Sequence, residues 1–132
     1  MKQIKRLTTL ALAVMLLLIL AIPAFAADGD GDGYTVTINN IKQAMPQCGV
    51  ENADIIFETL VEGDVTRCLA VFGDVAGLEH IGAVRSARTY FVDLTLGLDA
   101  IFVHHGGSNY AYDEFAKSGW PHLDGIRGSS KF

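Results

Sequence analysis

Sixteen uncharged residues, Leu7 to Ile22, follow a start that carries Lys2, Lys5 and Arg6, and Pro23-Ala24-Phe25-Ala26 closes the run with small residues two apart. A basic start, an apolar centre and an A-x-A exit form a secretory signal peptide. As a helix the run would reach about 24 Å, short of the ~30 Å hydrocarbon core that a permanent span must cross. Residues 1–26 are therefore read as an address with cleavage after Ala26, an uncleaved anchor being the alternative. No Cys stands near the exit, so no lipid is expected at a new N-terminus. The chain is expected to work outside the cytoplasm, secreted or associated with the cell envelope, touching the membrane only if the segment stays uncleaved.

That leaves 106 of the 132 residues to fold, enough for one domain. They hold 7 basic and 15 acidic residues, a formal charge of −8. Nucleic acid is excluded as a partner on that balance, because phosphates reward positive surfaces. Ala27 to Gly33 alternates Asp with Gly. Asp28, Asp30, Asp32 and Gly33 match half of a calcium loop, but Asn39 stands where the bidentate Glu should be. The stretch reads as a flexible acidic linker over 27–33.

Tyr34 to Ile38 alternates β-branched residues and predicts a strand. Asp54–Val61 and Val65–Phe72 predict a hairpin around Glu62-Gly63-Asp64. Both faces of its strands are largely apolar, so the hairpin is expected to be covered on two sides, with Arg67 answering Glu58 or Glu62 across the ladder. Ser86 is expected to cap a helix to about Leu96, with Ala87, Tyr90, Phe91, Leu94 and Leu98 as its buried stripe. A strand over 100–104 should pair in parallel with the strand before it. Ser108 then caps a helix from Asn109 to about Lys117, ended by Gly119 and Pro121. From Trp120 onward the chain reads as turns. The order predicts an α+β fold, a layered mixed sheet with a β-hairpin and two helices on one face.

Two constellations carry candidate chemistry. His104-His105-Gly106-Gly107-Ser108 leaves a strand and opens a helix, where free N–H groups favour an anion; the plain alternative is a tight turn with a serine cap. Arg85 and Arg88 lie at a helix start, against the macrodipole, and need a negative partner. That partner is either internal (Glu58, Glu62 or Asp93) or a bound phosphate or carboxylate. Glu58 and Glu62 as an acid/base pair would stand about 13 Å apart along a strand, beyond the roughly 5–9.5 Å of two-carboxylate hydrolases. Cys48 and Cys68 either form a disulfide, possible outside the cytoplasm, or are buried thiols. No Cys or His has a partner at metal-ligand spacing, and neither metal nor cofactor is expected.

Taken together, Pro46-Gln47-x-Gly49, Ala53-Asp54-Ile55, Glu58, Val61-Glu62-Gly63, Thr66-Arg67, Gly82-x-Val84-Arg85-Ser86-Ala87-Arg88, Tyr90-Phe91-Val92-Asp93 and His104-x-Gly106-x-Ser108 resemble the YerB-like domain family, also called DUF3048. The similarity runs from about Tyr34 to Phe132. It implies a layered sheet-and-helix domain of bacterial envelope proteins, often lipoproteins, and implies no reaction and no catalytic residues. The chain departs from the family in lacking a lipobox cysteine. It also carries Cys48 and Cys68 where the family commonly has other residues, which adds to the disulfide reading. The family's domain continues past the equivalent of Phe132, so the chain looks truncated, with 34–132 an incomplete domain. The functional expectation is a binding module for an anionic cell-wall or peptide ligand, held by Arg85, Arg88, His104, Gly106, Gly107 and Ser108. Glu58, Glu62, Arg67 and Asp93 form a supporting polar network. The alternatives are an envelope hydrolase using His104 or His105 with Ser108 or Glu58, and a purely structural partner domain.

Overall fold

The computed structural model describes residues 33–129. The signal-like segment and all of the acidic linker except Gly33 lie outside the described residues. Six strands form one mixed sheet: β1 (Tyr34–Asn39), β2 (Ile55–Leu60), β3 (Thr66–Phe72), β4 (Ile101–His104), β5 (His122–Asp124) and β6 (Gly128–Ser129). Their order across the sheet is β2-β3-β1-β4-β5-β6. Helix α1 (Thr89–Gly97) joins β3 to β4, and α2 (Asn109–Ser118) joins β4 to β5.

The period of two along each strand divides the core into two layers. Leu69, Phe102 and, in part, Phe57 face the helices and pack on Phe91, Val92, Ala111 and Phe115. Val36, Ile38, Cys68, Ala70 and Phe72 face the other way, under Val50, Val75, Leu78, Ile81 and Val84 from the irregular segments. Both helices thus lie on one face and loops cover the other, an α+β architecture. The hydroxyls of Thr35 and Thr95, both fully buried, meet at 2.7 Å and pin α1 to the middle strand. The Trp120 indole donates to the Ala100 carbonyl at 2.7 Å and ties the end of α2 to the start of β4.

The expected hairpin forms, with Phe57 opposite Leu69 and Glu58 opposite Cys68. Its expected two-sided burial holds for β3 alone. β2 is the sheet's edge, and Ile55, Ile56 and Leu60 remain 46, 48 and 66% exposed. β4 does pair in parallel, but with β1 and β5 rather than with the strand before it in sequence. Residues 122–124 and 128–129, read as turns, complete the sheet.

The Ser108 hydroxyl accepts from the Ala111 amide, and Gly119 closes α2 at φ +63°, a left-handed cap that suits glycine. Ser86, by contrast, caps nothing. Residues 82–87 run extended because they are bonded sideways: Val84 bridges Ile38 on β1, and Ala87 bridges Gly107. α1 accordingly starts two residues late, with Arg88 rather than Ser86 at the cap position, and its buried side chains are Phe91, Val92 and Thr95, while Leu98 is 39% exposed.

Candidate functional site

Both thiols are free, Cys48 exposed and Cys68 buried. Cys68 sits on β3, at one edge of β1. Cys48 pairs with Gly82, in the segment bonded to the opposite edge of β1. The middle strand separates them, so the disulfide expectation is corrected. Burial, and secondarily Glu58, pushes the Cys68 thiol up from its ordinary value.

The 104–108 turn is built for internal bonding. His104 is 1% exposed, and its Nδ1 lies 2.7 Å from the Gly106 carbonyl oxygen. That bond makes Nδ1 the protonated nitrogen of the neutral ring, and Nε2 is left buried without a partner. The Gly106 amide donates to Asp124 Oδ1 at 2.9 Å, and its carbonyl accepts from Ala87. Gly106 holds φ +73°, and a Cβ there would stand 2.8 Å from Ile126 Cδ1. Gly107 packs its backbone against Ala87 and the Tyr112 ring. The left-handed backbone at Gly106 suits glycine, and Ser108 is engaged as a cap. His104 and Ser108 are therefore not presented to a substrate, and His105 is the exposed histidine of the pair.

Asp124 organises this region, and sequence reasoning missed it because a lone Asp in a segment read as turn carries no signal. Its carboxylate also accepts from the Ile126 amide at 2.9 Å and from the Tyr112 hydroxyl at 2.7 Å, and Arg127 lies over the Tyr112 ring. Burial pushes Asp124 up, but these three donors outweigh it and hold the carboxyl down at about 2. Burial lowers His104, partly offset by the Gly106 carbonyl and by Asp124, 3.9 Å from Nδ1. Both groups thus bind protons more weakly folded than unfolded, so both stabilise the fold at higher pH. Stability should fall as pH drops below about 6.5, the His104 step, and again between about 3.8 and 2, the Asp124 step. Urea titrations across pH should show the upper step vanish in His104→Phe while the lower one persists.

The arginines divide. Arg88 Nε and Nη2 donate to the two oxygens of Glu62 at 2.8 and 2.9 Å, and Nη1 donates to the Ala87 carbonyl. The paired guanidinium holds the Glu62 carboxyl down at about 2. Arg88 is thus balanced by the host's own acid, which corrects its assignment to a ligand pocket. The pair is mostly exposed on the Glu62 side and contributes on the order of 1 kcal/mol or less. Asp93 is exposed on α1 and joins no ion pair among the described residues, and Glu58 accepts from Asn40 and Thr66. The expected ladder pair of Arg67 with Glu58 or Glu62 does not form, because Arg67 stands opposite Thr59 and Asn39.

Arg67 is instead the anomaly of the molecule. It is 6% exposed, and among the described residues its side chain makes one hydrogen bond, from Nη1 to the Ser86 carbonyl at 2.7 Å. Among the described residues no carboxylate comes within ion-pair range of Arg67 or of the exposed Arg85. Burial and the like charges of Arg88 and Arg85 push the Arg67 guanidinium below its ordinary value. Backbone pairing explains the gathering: β3 carries Arg67 beside Asn39, and the Arg85 amide bonds the Thr37 carbonyl on the other side of β1. Thr37 lies between them with a buried, unpartnered hydroxyl. A cleft of about 340 Å³ is lined by Val84, Val103, His104, His105, Leu123, Asp124 and Gly125.

A mixed sheet with two helices on one face and a buried polar network around Asp124 defines a small α+β domain. Residues 27–132 match the family described as "Protein of unknown function (DUF3048) N-terminal domain", and the chain belongs to that family. It is 45% identical over 91 residues to a Bacillus subtilis (strain 168) protein named "Putative lipoprotein YerB", covering 69% of this chain and 27% of that protein. The crystal structure of YerB from Bacillus subtilis superposes with a TM-score of 0.64 at 40% identity, over 72% of this chain and 32% of that one. The chain thus spans about a third or less of the relatives it matches.

Proposed function

We propose that this domain is an extracytoplasmic binding module whose corner of Arg67 and Arg85 receives an anionic group, a wall-polymer phosphate or a peptide carboxylate. The signal-like leader and the lipoprotein name carried by the Bacillus subtilis relative support the location. One observation carries the binding reading: a nearly buried guanidinium without a carboxylate partner stands beside two more arginines, only one of which is neutralised. A buried cation of that kind costs several kcal/mol unless an anion accompanies it. The domain's net acidity makes a local surplus of positive charge more telling.

Calorimetric titration with inorganic phosphate and with acetate tests the reading. Wild type should bind at least one of them with a Kd of order 1 mM, about −4 kcal/mol. Arg85→Gln, an exposed change that breaks no side-chain bond among the described residues, should weaken binding about tenfold and leave the melting temperature unchanged. Arg88→Gln should weaken it far less. Equal binding by wild type and Arg85→Gln would remove the proposal, as would no binding at all.

A further inference from the structure

The structure assigns a second and independent recognition surface: the open edge of β2 accepts an extended, basic segment of another protein as a seventh strand. β2 is six residues long and, among the described residues, is paired on one side only, with β3. The Val61 amide donates to Val65 across the hairpin at 2.9 Å, so residues 57 and 59 bond inward, and Ile56, Glu58 and Leu60 turn their N–H and C=O groups outward. Edges like this are commonly blunted by Lys, Pro or a bulge. Here neither Lys nor Pro stands within 55–60, and Ile56 and Leu60 flank Glu58 on the same face, about half and two-thirds exposed.

Charge decides the occupant. From residue 43 to residue 66 the chain carries no Lys or Arg and five acids: Glu51, Asp54, Glu58, Glu62 and Asp64. Only Glu62 has a cationic partner among the described residues. A second copy pairing antiparallel over the full strand would match Ile56 with Leu60 but set Glu58 against Glu58 at the centre and Asp54 against Glu62 at both ends, and like charges directly opposite disfavour the pair. A foreign strand with Lys or Arg opposite Glu58 and apolar residues two positions to either side, over Ile56 and Leu60, satisfies the backbone edge, both isoleucine and leucine side chains and the charge together. Main-chain bonds would supply affinity and the alternating side chains selectivity.

Fluorescence anisotropy with a labelled peptide Thr-Val-Thr-Lys-Thr-Val-Thr tests this, with the Lys→Glu peptide as control. Wild type should bind the Lys peptide at least about tenfold more tightly than the Glu peptide. Ile56→Pro, which removes an outward donor and spares the β3 ladder, should abolish binding. Glu58→Lys should reverse the preference, a readout that stands if the proline variant fails to fold. Arg85→Gln should leave all of it unchanged, which separates this edge from the arginine corner. Equal binding of the two peptides, no binding of either, or a wild-type dimer that Ile56→Pro dissociates would overturn the proposal.

Discussion

Asp124→Ala is expected to cost about 3–5 kcal/mol, because it strips the acceptor from three donors at once. The Asp124 carboxylate is within hydrogen-bond reach of the Gly106 and Ile126 amides and the Tyr112 hydroxyl, and it is 4% exposed as a residue. Without it the Gly106 amide is buried unpaired, and the 104–108 turn loses the contact that holds it to β5. For a domain near 100 residues a loss of that size lowers the melting temperature by roughly 12–40 °C. Asp124→Asn keeps the shape and one acceptor oxygen, and should cost about half as much. Its urea profile should also show a smaller stability step between about pH 3.8 and 2, leaving the part that Glu62 contributes. A melting temperature within a few degrees of wild type for Asp124→Ala would mean that the three bonds contribute little.

Phe102→Ala is the companion case in the core, with about 3–5 kcal/mol expected. Phe102 is fully buried on β4, between β1 and β5, with ring centroids 5.7 Å from Phe115 and 5.2 Å from His104. It is the residue on which α2 and the polar network both rest, so truncation opens a cavity that the sheet cannot close. Phe102→Leu should cost clearly less, since it keeps most of the volume. Equilibrium unfolding in urea measures both, and equal losses for the Ala and Leu variants would contradict the cavity account.

The parts of this fold that were legible in the amino-acid sequence are those set by neighbours along the chain. The hairpin follows from alternation and a three-residue turn, and the limits of α2 follow from Ser108 and Gly119. What was not legible depends on contacts between distant segments. Ser86 has every local mark of a cap, yet residues 82–87 are claimed by β1 and by Gly107, and a helix cannot start while its backbone is bonded sideways. His122–Asp124 is too short for periodicity and becomes a strand only because β4 offers a parallel edge. The candidate site shows the same division. The sequence singled out Arg85 and Arg88 and named Glu62 among three possible internal partners. Which arginine each acid reaches depends on where α1 begins, and that start was misplaced. Arg67, expected in a routine ladder pair, became the unbalanced cation because its register partners are Thr59 and Asn39.

Among the described residues the Arg67 guanidinium has no carboxylate within ion-pair range, and a bound anion at that corner would balance it. Arginine Nε–H resonances followed by NMR during a phosphate titration observe that charge directly, one guanidinium at a time. Saturable shifts at Arg67 and Arg85, with Arg88 held still by Glu62, are the predicted result. Shifts confined to Arg88, or a uniform drift of all three that grows linearly with salt, would contradict it.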